Sequence, residues 1–98
     1  MTVSYTLHGI RFEWDSRKAS LNLRDHGINF ETACEVFFDP LVSVVNAENY
    51  AGELRESVIG MTANWRLLYV VYTQRGKALR IISARSATNP ERKNYENQ

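Results

Sequence analysis

The stretch from Arg66 to Arg85, RLLYVVYTQRGKALRIISAR, constrains the fold of this chain more than any other. Val, Ile, Leu and Tyr crowd two runs, Leu67 to Thr73 and Ala78 to Ser83, and Gly76 supplies the permissive backbone that a hairpin turn needs. Side chains alternate along a strand, so Leu67, Tyr69 and Val71 share one face and Leu68, Val70 and Tyr72 the other. Both sets are apolar, which describes a central strand covered on each side. In the second run Leu79, Ile81 and Ser83 share a face with Arg85, and Arg80 shares the opposite face with Ile82 and Ala84. Arginines in the most hydrophobic hairpin are poor choices for building a core, so they point to function. A regular strand sends Arg80 and Arg85 to opposite faces. They can address one phosphate only if the strand bends or ends near Ser83.

The flanks supply the remaining elements. Residues 1–10 read as a loose tail with an incidental His8, and residues 11–98 as one domain. Arg11 to Trp14 can form a short strand. Asp15 or Ser16 then caps a helix that ends at His26, with Gly27 as its left-handed stop. Ala19, Leu23 and His26 fall on its inward stripe beside Asn22, while Arg17, Leu21 and Arg24 face outward. Asn29 caps a second helix, Phe30 to Phe38, whose Phe30, Ala33, Cys34 and Phe37 form an apolar face. Asp39-Pro40 stops it. Leu41 to Asn46 reads as a strand, Ala47 to Leu54 as a loop, and Arg55 to Gly60 as another strand. Thr88 or Asn89 caps a last helix with Pro90 at its first position. The expected fold is α+β: a short N-terminal strand, two helices, a four-stranded antiparallel sheet and a C-terminal helix.

Composition mainly excludes. No apolar run is long enough to span a bilayer, and MTVSYTLHGIRFEW lacks the basic start and apolar centre of a secretory signal. A cytoplasmic protein is expected. The lone Cys34 rules out an internal disulfide and a multi-cysteine zinc site, and suits a small buried hydrophobe. No His or Cys pair stands at metal-ligand spacing, RGK at Arg75 to Lys77 lacks the other residues of a phosphate loop, and there is no serine elbow. Neither metal nor cofactor is expected. The net charge is only +1, yet Arg66 to Lys93 carries seven basic residues against the single acid Glu91. That asymmetry fits a local anion-binding patch or a solvated surface.

The residues left for chemistry are His26, Glu53, Arg55, Arg80, Arg85, Arg92 and Tyr95. Together they suit RNA cleavage in which the substrate's own 2′-hydroxyl attacks the adjacent phosphate. Such a reaction needs a proton carrier, here His26 or Glu53, and fixed cations for the phosphorane. Each residue also has a bland explanation. His26 stands where a helix dipole favours it, and Glu53 can pair with Arg55. Leu21, between Arg17 and Arg24, and Tyr50 in the expected loop suit docking of an acidic amphipathic segment, or are stray surface residues.

Several motifs fall in a known order: FEWD at Phe12 to Asp15, HGINF at His26 to Phe30, VFFDP at Val36 to Pro40, GELR at Gly52 to Arg55, VVYTQRGKALRIISAR at Val70 to Arg85 and ERKNYE at Glu91 to Glu96. In this order the chain resembles the BrnT toxin family of bacterial type II toxin–antitoxin systems over about residues 11 to 96. The resemblance implies a RelE-like fold, a ribonuclease that halts translation, and a BrnA-type antitoxin with a ribbon-helix-helix DNA-binding part. DNA would be reached only through that antitoxin. It also implies functional roles for His26, Glu53, Arg80, Arg85, Arg92 and Tyr95. Asp25 departs from the lysine usual before the histidine and removes a positive charge from that corner. A second reading makes the chain a catalytically weak module that serves as antitoxin partner and co-repressor.

Overall fold

Thr2–Leu7 (β1) folds back on Ile10–Asp15 (β2) through His8 and Gly9, whose φ angles are +50° and +80°. Ser43–Tyr50 (β3) and Glu53–Met61 (β4) are joined in the same way by Ala51 and Gly52, at +51° and +82°. Positive φ at both turn residues is the geometry whose twist matches that of the flanking strands, and glycine adopts it without strain. These two turns correct two expectations. Residues 2–7 are a paired strand rather than a loose tail, and residues 47–54 are strand ends and a tight turn rather than a loop. The hairpin expected around Gly76 is present as Leu67–Arg75 (β5) and Ala78–Ser86 (β6).

The structure is a computed structural model that describes all residues, 1–98. Its sheet is six-stranded and mixed, in the order β1-β2-β6-β5-β4-β3, where four antiparallel strands were expected. The difference lies in β2, which pairs parallel to β6 through Phe12↔Leu79 and Glu13↔Arg80, and in β1, which β2 carries with it. Helix α1, Ser16–His26, starts at Asp15, whose carboxylate accepts from the Lys18 amide, and stops at Gly27. Helix α2 is short, Phe30–Cys34, capped by Asn29, and tightens into a 3₁₀ turn over Glu35–Phe38. The chain therefore does not continue as one α-helix to Phe38; the last turn narrows before Asp39-Pro40. Helix α3, Asn89–Glu96, starts at Thr88 with a reciprocal bond to Glu91.

The main core lies between α1, α2 and one face of the sheet. Phe12, Trp14, Ile28, Phe30, Val36, Leu68 and Ile81 are its large members, and Cys34 is buried among them. Burial pushes the Cys34 thiol well above its ordinary pKa, so it stays protonated. Asn22 is the buried polar residue of α1. Beyond the short β2–β6 pairing the edge of β6 that faces away from β5 has no strand partner, and Asn22 takes that place. It donates to the Ala84 carbonyl (2.9 Å) and accepts from the Ala84 amide (3.0 Å). The inward stripe of α1 is thus Ala19 and Asn22, with Leu23 51% exposed and His26 exposed, contrary to the expected inward Leu23 and His26.

Candidate active site on the open sheet face

The opposite face of the sheet is covered at one end only. There Tyr95 of α3 packs on Ile59 and Leu67, with Met61 and Tyr69 at the margin. The Tyr95 hydroxyl donates to Asp39 Oδ2 (2.6 Å), the oxygen that also accepts from the Met61 amide. Burial and this carboxylate push the Tyr95 pKa up to about 12. Expected among the substrate contacts, Tyr95 is instead a buried clasp between α3 and the turn after α2.

An irregularity in β6 decides which side chains reach the open face. Ser83 pairs with Val71 and Ile81 with Tyr72, so Ile82 has no partner on β5. One extra residue shifts the alternation by one position. Ile81 and Ala84 therefore both point into the core, and Arg80 and Arg85 both point to the open face. The strand does bend near Ser83, as a shared face for the two arginines requires. Their partners on β5, Thr73 and Tyr69, place them roughly 13 Å apart along the strand.

At the Arg80 end, one row crosses five strands: Glu13, Arg80, Thr73, Arg55 and Glu48. Arg80 Nη1 lies 2.6 Å from Glu13 Oε2, and both side chains are largely buried. In the next row Glu53 pairs with Arg75 at 3.0 Å rather than with Arg55. The Arg75 guanidinium holds the Glu53 carboxyl below the ordinary glutamate range. Arg55 has no carboxylate partner. Its guanidinium sits 4.2 Å from the centre of the Tyr50 ring, and its Nε is buried without a hydrogen bond.

At the other end, Arg85 makes a bidentate pair with Glu91 (2.8 and 2.9 Å) and stacks 4.0 Å over Tyr69. Arg85 and the Thr88 amide hold the Glu91 pKa down to about 2. A cleft of about 440 Å³, lined by Ser43, Val45, Ile59, Tyr69, Glu91 and Tyr95 among others, opens beside this pair. Arg92 is exposed and reaches Glu96 only at 3.8 Å. His26 stands one helical turn, about 6 Å, beyond Asn22, and so near the Arg85 end of β6. Asp25 turns away to Arg24 at 2.9 Å, which lowers the Asp25 pKa. The expected site residues therefore do not form one cluster. Glu53, Arg55 and Arg80 stand together on the open face, and Arg85 lies towards its other end near α3, which carries Arg92. His26 ends α1, which packs on the core face.

Residues 14–91 match the family described as the ribonuclease toxin, BrnT, of type II toxin–antitoxin systems. This chain belongs to the BrnT family. The 1.1 Å crystal structure of the Brucella abortus ribonuclease toxin BrnT is similar to it, with a TM-score of 0.61 and 29% identity over 78% of this chain and 94% of that one. No curated protein matches. Membership of this toxin family implies an antitoxin partner and an RNA substrate.

Two carboxylates that hold the arginines of this candidate site were not legible beforehand. Glu13 is 67 residues from Arg80 in sequence, and only the parallel pairing joins them. Glu91 was noted only as the lone acid in a basic half; its position six residues after Arg85, inside a helix cap, was the available signal. A further cleft of about 420 Å³, lined by Leu7, His8, Phe38, Asp39, Met61 and Trp65 among others, contains no arginine or lysine. It is not the site. Arg17 and Arg24 are exposed on α1 and Leu21 between them is 39% exposed, as an outward face requires.

Proposed function

We propose that this BrnT-family protein is a metal-independent endoribonuclease that cuts cytoplasmic RNA, stops translation, and is silenced by a BrnA-type antitoxin. In this reading the fold is a RelE-like variant, and the complex represses its own operon through the antitoxin's ribbon-helix-helix part. No helix is long and apolar enough to cross a membrane. The observation that carries the nuclease reading is the unpaired Ile82, which puts Arg80 and Arg85 on the one sheet face that remains open.

The substrate 2′-oxygen attacks phosphorus, the bond from phosphorus to the 5′-oxygen breaks, and the products are a 2′,3′-cyclic phosphate and a 5′-hydroxyl. One proton leaves the 2′-hydroxyl and one is delivered to the 5′-oxygen. Arg80 with Arg55, and Arg85 with Arg92, bind successive stretches of the RNA backbone, and the arginines at the cut phosphate offset the phosphorane charge. Glu53, held low by Arg75, is a weak base, so it orients charge while His26 carries the proton. The purified protein should cleave single-stranded RNA in excess EDTA and leave those ends. An absolute need for a divalent ion, or 5′-phosphate ends, would overturn the reading.

One observation favours the second reading, a catalytically weak antitoxin partner and co-repressor. Both key arginines already hold carboxylates, Glu13 and Glu91, which offset their charge in the free protein. Growth arrest on expression of the lone chain separates the two.

A further inference from the structure

We infer that Tyr50, backed by Arg55, is the nucleobase-stacking residue of the site and sets which base lies beside the cut; this rests on the nuclease reading above. Tyr50 ends β3 and pairs with Glu53, so it stands on the same face as Glu53, Arg55 and Arg80. The ring is 56% exposed even though the Arg55 guanidinium covers one side of it at 4.2 Å. Tyr69, the other aromatic beside an arginine on this face, is already capped by Arg85. Trp65 is more exposed, but it lines the cleft that has no cation.

Arg55 is two strands from Arg80 in the same row, roughly 10 Å at the backbone. Tyr50 lies one strand beyond Arg55, with its ring against that guanidinium, so a phosphate held at Arg80 has an aromatic platform further along the same face. Single-stranded RNA is bound by stacking splayed bases on aromatic rings and guanidinium planes. The tight turn at Ala51 and Gly52 fixes the tyrosine, so little order is lost when a base arrives. Arg55 lacks a carboxylate and its Nε lacks any partner, so stacking is what holds it. A base on the free side of the ring completes a layered stack of guanidinium, phenol and base.

The test uses short single-stranded 2′-O-methyl RNAs, which bind but cannot be cut, with an abasic unit placed at each position in turn. Tyr50→Ala should bind the intact oligomer about tenfold more weakly, and Tyr50→Phe should bind like the wild type. One abasic position should weaken the wild type by a similar factor and Tyr50→Ala no further. Cleavage sites mapped on a mixed RNA should lose base preference at that position in Tyr50→Ala. Unchanged binding and preference in a folded Tyr50→Ala that still cuts RNA would overturn this assignment and leave the nuclease standing. Loss of antitoxin binding with RNA binding intact would also overturn it and make Tyr50 an antitoxin contact. A wild-type protein that neither binds nor cuts RNA would remove both readings together.

Discussion

Asn22 bonds both backbone groups of Ala84, donating at 2.9 Å and accepting at 3.0 Å, and also donates to the Ile28 carbonyl at 3.0 Å. A single amide therefore replaces a missing strand along β6 and ties the end of α1 to the segment that carries Arg85. Asn22→Ala leaves three buried backbone groups without partners. Each such group costs about 1–3 kcal/mol. A loss of roughly 3 kcal/mol is expected in urea unfolding; a change below about 1 kcal/mol would mean that water or a shifted strand replaces the amide. Asn22→Asp should be nearly as harmful, because a carboxylate cannot donate to the Ala84 carbonyl.

Arg80 and Arg85 should each be needed for toxicity. Removing one donor to a phosphorane slows cleavage on the order of a hundredfold. The two variants differ in what they leave behind. Arg80→Ala strands Glu13 in a largely buried setting, so Glu13→Gln should be combined with it to keep the fold. Arg85→Ala frees Glu91, which retains its bonds to the Thr88 cap. Full toxicity in folded forms of both, at equal expression, would exclude the arginines from the site.

The ion pair at Arg85 should be visible in the acid stability of the protein. Glu91 titrates at about 2 in the folded chain against an ordinary 4.5. A lowered carboxylate stabilises the fold fully above the unfolded value and loses that contribution as the pH falls through the folded one. Wild type should therefore exceed Glu91→Gln by about 1–2 kcal/mol above pH 4.5, allowing for solvent screening. The gap should close between pH 4.5 and about 2. Other lowered carboxylates, such as Asp39 and Glu53, act in both proteins and cancel in the difference. A gap that persists at pH 2 would assign the stabilisation to the helix cap rather than to the charge.

What could be read beforehand was local. Asp15, Asn29 and Thr88 cap their helices and Gly27 stops one, because a cap is satisfied within a few residues of itself. The turns at His8-Gly9 and Ala51-Gly52 were missed, since histidine and alanine are not the residues that announce two positive φ angles. Missing the first cost β1, and missing the second hid the far ends of β3 and β4. The unpaired Ile82 is a property of two strands in register, and nothing in RIISAR marks it. The same holds for Glu13, whose meeting with Arg80 depends on a parallel pairing that hairpin logic does not supply. Site chemistry was therefore legible as residue types, while its geometry was set by long-range register.

The antitoxin should meet the outer face of α1. Arg17, Leu21 and Arg24 follow at helical spacing on that exposed side, an apolar residue between two cations that suits an acidic amphipathic segment. Leu21→Asp should weaken the complex and leave RNA cleavage in place. Co-purification at wild-type yield, through a wash at moderate salt, would exclude this face.

His26 offers the cleanest separation of chemistry from stability. It is exposed in the last turn of α1, next to the left-handed Gly27, so its side chain holds no part of the core. His26→Gln keeps volume and hydrogen bonding but cannot shuttle a proton. The melting temperature should stay within about a degree of the wild type, since exposed substitutions change stability by less than about 0.5 kcal/mol. Antitoxin binding should persist and toxicity should be lost. Melting and cleavage measured on one sample decide the matter, and normal cleavage by a well-folded His26→Gln would assign the proton work to a different group.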